Sequence, residues 1–442
     1  MVTKRNLVIG LVICAAFFII IQFYLLYRAP SLNSPDDVNR HSHSYNIIKD
    51  FVNHCKGANV ACILVDQQVL KALATEKPSD TCTFFCWSHI YTFAIRDLDF
   101  QSFNLTMLPK LKASGYDVLM SISERFEKDQ PTHVHLRYRN KQAIHLVVLH
   151  DQGKWWWYGS DLGMESGIDF TKHDGAMDKF DFEPEINIDG LQVFVPNHMA
   201  KFMAMYADSL FIPCNKARAE MFHKNFSRDT SNEANEFREA AANAIKLIKS
   251  RLDAYGIPFW LSSGTLLGWF RQCDFIPYSI DVDVGVFIKD HTSDLLKELQ
   301  ASALRLDHKF GKVSDSLQYT FDIGKVKLDI FFFYEDKVIK KYWNGGTDYS
   351  TGEKFKYWFD KFTLCWTEFY DMKVRVPCDT ELYIKANYGP DWFKPVKHWE
   401  WNKSPPNVVP NGEWEDDELD EVIQLWDKKG ERIELEWVRE EL

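Results

Sequence analysis

The chain has no basic run of useful length, and its formal net charge is −11. Proteins that grip phosphate backbones need clustered positive surface. Nucleic acid is therefore not an expected partner. The poverty of apolar residues that marks a disordered chain is also missing. Hydrophobic residues make up 46% of the sequence and aromatics 15%, and its 442 residues suffice for two packed domains. Charge is absent altogether from Leu7 to Tyr27, where Gln22 is the one strongly polar side chain.

At ~1.5 Å per residue, that uncharged run spans a hydrocarbon core of about 30 Å. Lys4 and Arg5 precede it, which favours an N-terminus in the cytosol, although Arg28 and Arg40 lie beyond it. The stretch Leu26-Tyr27-Arg28-Ala29-Pro30 lacks the small-x-small pattern of a signal-peptidase site. The expectation is an uncleaved anchor at 7–27, a cytoplasmic tail at 1–6, and lumenal chain from about residue 28. Residues 28–45 are polar, with Pro30 and Pro35, and read as a stem linker.

Of nine cysteines, Cys14 falls in the anchor and eight lie outside it. An even number in an oxidising lumen permits disulfides, with pairing left open by sequence. Cys82-x₃-Cys86 with His89 offers part of a zinc set, but no second ligand pair follows at finger-like spacing. Asn104-Leu105-Thr106 and Asn225-Phe226-Ser227 are sequons that a lumenal location makes usable.

The expected fold class is α/β: the anchor, an α/β stem domain at 46–225, and a catalytic domain at 230–442 with a mixed sheet flanked by helices. In the stem domain, 60–65, 91–95 and 143–149 read as strands and 67–75 as a helix. Trp155-Trp156-Trp157-Tyr158 reads as packing rather than as a sugar-stacking surface. No acid pair or glycine loop of quality occurs there.

Both occur further on. Thr230-x-x-Glu233 is a capping-box pattern opening a helix to Tyr255, which Gly256 and Pro258 end. A buried strand at 259–262 then runs into Ser263-Gly264-Thr265, a turn that opens a helix, where backbone N–H groups favour an anion. Asp281 and Asp283 stand two apart in an otherwise β-branched strand and so share one face. Two crowded acids repel unless a cation lies between them, and hard oxygen ligands suit Mg²⁺ or Mn²⁺. Asp322-Ile323-Gly324-Lys325 turns a hairpin that brings a third acid, Asp329, beside them. Another helix is expected at about 293–304. Residues beyond Gly412 read as an acidic, helical appendage. The layout is that of a nucleotidyltransferase fold, in which three carboxylates hold metal against a phosphoryl group.

The segment from Ser262 through Asp283 resembles the fukutin family and, more distantly, the bacterial LicD phosphocholine transferases. The likeness continues through His308–Val313, Lys327–Tyr334, Trp343–Thr347, Lys361–Phe369 and Ser404–Val408. The family resemblance implies a single-pass type II Golgi membrane enzyme. It implies transfer of ribitol 5-phosphate from CDP-ribitol to the phosphorylated O-mannosyl core glycan of α-dystroglycan. Its companions would be other Golgi O-mannose glycan enzymes, including fukutin-related protein. Carried onto this chain, Asp281, Asp283 and Asp329 become catalytic metal ligands. Gly264, Thr265 and Arg271 become substrate contacts. The bacterial relatives have an Asp where Ser279 stands, so this site has one carboxylate fewer. Two rival readings are a glycosyltransferase that uses Asp-x-Asp with a nucleotide sugar, and a non-catalytic scaffold.

Overall fold

The computed structural model describes residues 35–74, 90–123, 130–139, 141–160, 173–182, 185–301, 304–396 and 398–434. No helix among the described residues is long and apolar enough to cross a membrane. The proposed anchor and the Cys82–His89 cluster lie outside the described residues.

The chain forms two compact units. The first comprises residues up to Asp151 together with Phe180–Met203. It opens with helix α1 (Pro35–Gly57). The expected linker is therefore helical in its second half, because from Pro35 onward the chain continues into the apolar residues Ile48, Phe51 and Val52, which are buried. Strands β1 (Ile63–Leu64), β2 (Tyr91–Arg96), β3 (Tyr116–Ser123), β4 (Gln130–Tyr138) and β5 (Lys141–Asp151) form a sheet in the order β1-β2-β5-β4-β3. The β2–β5 pair is parallel, and helix α2 (Gln67–Ala74) leads from β1 toward it. Cys55 and Cys62 form a disulfide here, and Asn104 is exposed.

The second unit holds the remaining described residues, including Gln152–Ser160 and most of Phe170–Lys179. Of the residues read as the stem domain, Gln152–Ser160, most of Phe170–Lys179 and those from Ala204 onward thus group with this unit. Helix α3 (Lys216–Asn225) packs with this unit, where Cys214 is bonded to Cys273. Trp155–Tyr158 is a strand paired with Gly175–Asp178, and all four of its aromatics are buried. That quartet is packing.

Helix α4 (Asn232–Ala254) buries Phe237, Ala241, Ala244, Ile248 and Leu252, the stripe its periodicity predicts. Its cap is Ser231 rather than Thr230: Ser231 Oγ accepts from the Ala234 N–H at 3.2 Å. Next come β6 (Phe259–Leu261), α5 (Ser263–Gln272) and β7 (Asp281–Phe287). The predicted helix after the acid pair is shorter, Leu295–Ala301. Then follow β8 (Arg305–Lys312), β9 (Asp315–Ile323), β10 (Val326–Asp336), β11 (Lys341–Thr347), β12 (Glu353–Asp360), β13 (Leu364–Phe369), β14 (Met372–Pro377), helix α6 (Thr380–Tyr388), β15 (Val408–Glu413), β16 (Ile423–Trp426) and β17 (Arg432–Ile433).

One mixed sheet of twelve strands results, with the path β13-β14-β6-β7-β10-β9-β8-β16-β17 and β11, β12 and β15 continuing from β10. The expected acidic helical tail is helical only over Leu419–Val422; it then turns to strand, where β16 pairs with β8 and buries Ile423 beside Phe310 and Trp414. The parallel pairs β7–β10 and β6–β14 lie at the centre, where α4 and α5 pack.

At that centre Trp260 is wholly buried, with Phe287, Phe333 and Phe362 around it at 4.6, 4.9 and 5.4 Å between ring centroids. Gly285 is its cross-strand partner, and a Cβ there would meet the indole at 2.3 Å. The enclosed ring has nowhere to retreat. Gly285→Ala should cost about 1–3 kcal/mol, read as a drop in the thermal midpoint of the second unit with the first unit unchanged. An unchanged midpoint would show that the sheet yields here.

Candidate functional site

The β6–α5 junction is tightly made. Ser263 takes a left-handed backbone (φ 40°), a conformation that costs a non-glycine residue energy and is held by its surroundings. Ser262 is buried, and its hydroxyl lies 2.9 Å from that of Tyr383, on α6. The Gly264 N–H donates to Asp283 Oδ2 at 3.0 Å, and the Asp283 N–H donates to Thr265 Oγ1 at 2.9 Å. The turn therefore grips an acid of β7. Gly264 and Thr265, expected to meet substrate directly, first of all hold Asp283 in place.

Asp283 and Asp329 are register partners on the parallel pair β7–β10. Thr320 on β9 is in turn the partner of Asp329, and His308 on β8 is the partner of Thr320. One row thus crosses four strands. The Thr320 hydroxyl hydrogen-bonds to Asp329 Oδ1, and Gln318 Nε2 reaches the same oxygen at 3.5 Å. Asp281, one pleat along β7, accepts from Ser279 Oγ at 2.6 Å. Ser279 is thus a support for Asp281. One carboxylate oxygen from each of Asp281, Asp283 and Asp329 lies within 4.8 Å of the others.

Burial pushes the Asp283 carboxyl well above its ordinary range, and the charges of Asp281 and Asp329 push it further; the N–H contacts at Gly264 and Thr265 oppose this. Burial likewise raises Asp329 to about 6, against the hydrogen bond from Thr320 and the influence of His308. Three close acids, two of them buried and short of positive charge, are a donor set fitted to a hard divalent cation.

Arg271 is 2% exposed at the far end of α5. Its Nη2 donates to Gln272 Oε1 at 2.9 Å, and the guanidinium covers the Phe222 ring at 4.6 Å. Burial lowers its pKa, while Tyr278 and Tyr388 counteract. No carboxylate pairs with it among the described residues. Tyr388 lies within electrostatic reach of Arg271 and of Asp283 and Asp281. Thr320, Gln318, His308 and Tyr388 were not singled out by sequence reasoning. For Thr320, the alternating pattern of β9 was the available signal.

A cleft of about 300 Å³ lies at the other end of β6, lined by Asp178, Lys249, Trp366, Lys373 and Arg375 among others. Its charges are internally paired: Lys373 with Asp178 at 2.5 Å, Arg375 with Asp208 at 2.6 Å, and Lys249 with Asp253 at 2.5 Å. The carboxylate triad, where like charges stay uncompensated, is the stronger chemical site.

Fold and site together define a nucleotidyltransferase-type domain with a three-carboxylate centre. The family model described as "LicD/FKTN/FKRP, nucleotidyltransferase domain" matches residues 256–379, and "Fukutin N-terminal" matches residues 3–242. The chain is 38% identical to the human protein named ribitol-5-phosphate transferase FKTN over 473 residues, covering 96% of this chain and 99% of that one. The mouse protein of that name is also 38% identical, with the same coverage. Mouse ribitol 5-phosphate transferase FKRP is 46% identical over 51 residues, 12% of this chain and 10% of that one. The chain belongs to the fukutin family. A megavirus polyadenylate synthase structure overlaps with a TM-score of 0.24, too low to argue from.

Metal-free stability reports the triad directly. Asp329 has a higher pKa folded (about 6) than its ordinary value of 3.8, so the folded state holds the proton more tightly than the unfolded chain. Its ionisation therefore destabilises the fold increasingly as pH rises from about 4 to about 6, and fully above that. Asp329→Asn should melt higher than the wild type near pH 7.5 in chelator, with the difference vanishing near about pH 4. Added Mg²⁺ or Mn²⁺ should stabilise the wild type alone. A variant that melts lower at both pH values would identify Asp329 as a member of an ordinary buried ion pair.

Proposed function

We propose that this chain transfers ribitol 5-phosphate from CDP-ribitol to the phosphorylated O-mannosyl core glycan of α-dystroglycan, and that it needs Mg²⁺ or Mn²⁺. What carries the reading is the convergence of Asp281, Asp283 and Asp329 in a chain related to ribitol-5-phosphate transferases over 96% of its length. The three aspartates would hold the cation, which when bound supplies charge neutralisation at the diphosphate. An acceptor hydroxyl attacks the β-phosphorus in line, the bond to CMP breaks, and the hydroxyl proton passes to a carboxylate oxygen of the triad. The chain contributes positioning: Gly264 and Thr265 fix Asp283, Thr320 and Gln318 fix Asp329, and Ser279 fixes Asp281. Arg271, a buried cation without an acid partner among the described residues, suits a donor phosphate oxygen.

The location proposed is the Golgi membrane, with residues 7–27 as a single type II span and both units lumenal. Three disulfides, Cys55–Cys62, Cys214–Cys273 and Cys365–Cys378, suit an oxidising compartment, and exposed Asn104 and Asn225 are available for glycosylation. The partners proposed are the donor, the glycan, and neighbouring O-mannose glycan enzymes such as fukutin-related protein.

Mass spectrometry of an acceptor glycopeptide after incubation with CDP-ribitol should show one added ribitol phosphate, with none from UDP- or CDP-sugars. A product made from a sugar nucleotide would favour the glycosyltransferase reading. Asp281→Asn, Asp283→Asn and Asp329→Asn should each lower turnover at least ~10²-fold, about 2.7 kcal/mol; EDTA should mimic them. Near-full turnover by Asp283→Asn would sink the proposed site. In sealed microsomes, protease should leave residues after 45 intact; their digestion would reverse the topology.

A further inference from the structure

An exposed tryptophan with no role in the core packs on the tyrosine whose hydroxyl reaches the turn that holds the triad. Trp399 is 37% exposed, and its ring centroid lies 4.9 Å from that of Tyr388, with the planes 36° apart. Tyr388 ends α6, and its hydroxyl points at the β6–α5 turn. A Cβ built on Gly264 would stand 4.0 Å from that hydroxyl and 3.4 Å from Asp283 Oδ2. The side chain of Tyr388 therefore runs from the carboxylates out to the indole.

The segment bearing Trp399 is pinned on its C-terminal side. The Glu400 N–H donates to Ser404 Oγ at 2.9 Å, the Ser404 N–H donates to the Glu400 carbonyl at 2.8 Å, and Tyr357 donates to the Trp401 carbonyl at 2.8 Å. The backbone that carries this large aromatic at the surface is thus tied down on one side, and its ring rests on Tyr388, before any ligand arrives. Stacking on it is correspondingly cheap.

We propose that Trp399, backed by Tyr388, is the stacking platform for the pyrimidine base of a nucleoside diphosphate donor. The inference rests on the donor reading given above and adds the subsite that would recognise the nucleotide half. The order of groups carries it. Carboxylates come first, then the Tyr388 hydroxyl within electrostatic reach of Asp283, Asp281 and Arg271, and then the exposed indole. In a nucleoside diphosphate the groups run in the same order: phosphates, ribose, base.

The test is calorimetric titration of the full-length protein with CDP and, separately, with pyrophosphate, which has no base, both with Mg²⁺ present. Trp399→Ser should weaken CDP about tenfold or more, as expected for loss of one base–aromatic stack, and leave pyrophosphate unchanged. Trp399→Phe should recover most of the loss. In turnover, the serine variant should raise KM for CDP-ribitol and leave KM for the acceptor glycopeptide unchanged. CDP affinity unaltered in Trp399→Ser, or a KM change confined to the acceptor, overturns the platform while the donor reading stands. A wild-type protein that does not bind CDP with Mg²⁺ overturns both. Trp399 is a surface residue, so its variants should melt with the wild type, and a shifted melt with equal loss of CDP and pyrophosphate would show a merely structural role.

Discussion

Asp283 and Asp329 are direct partners across the parallel strands β7 and β10, and both carboxyls are desolvated, short of the water that would screen them. Their repulsion is the condition around which the second unit is organised. Side chains alternate along a strand, so slipping either strand by one residue would send one acid to the opposite face and bring an apolar neighbour to the site. Val282, Val284, Leu328 and Ile330 oppose that slip, because each is wholly buried on the other face. Apolar packing thus holds the register that electrostatics alone would disfavour.

The polar supports around the pair follow from that constraint. A backbone N–H at Gly264, the hydroxyl of Thr320 and the amide of Gln318 all donate to these carboxylates. Each stabilises the charged form without supplying a full positive charge. The acids are fixed in direction and still carry unbalanced charge. Such a pocket orients its ligands while keeping its affinity for a cation. Trp260 and Gly285 serve the same end from below, since the missing side chain at Gly285 lets the indole lie over β7 while β6 and β7 stay paired next to the Ser263 turn.

Much of this was legible in the residues themselves. Asp281-Val282-Asp283 in a β-branched run, the Ser263-Gly264-Thr265 turn, and Asp329 after the Gly324 hairpin each carry a local signal. Strand alternation, glycine turns and helix stripes are written within a few residues of one another. The buried stripe of α4 was readable for that reason. Its cap was misplaced by one residue because Thr230 and Ser231 are both acceptable caps, and only the chain's path selects between them.

What stayed hidden depends on contacts distant in sequence. Tyr383 and Tyr388 lie more than a hundred residues beyond the turn they touch. Thr320 looks like any strand threonine until β9 pairs with β10. The acidic C-terminal stretch has helical composition, yet β8 offers it an open edge, and over Ile423–Trp426 pairing with that edge overrides local preference. The sequence by itself determined the carboxylates, the turn and the family, because those are patterns of neighbouring residues. Only the tertiary structure decided which hydroxyls and amides hold those carboxylates and which aromatic stands exposed beside them, because strand register and helix docking bring together groups that share no local pattern.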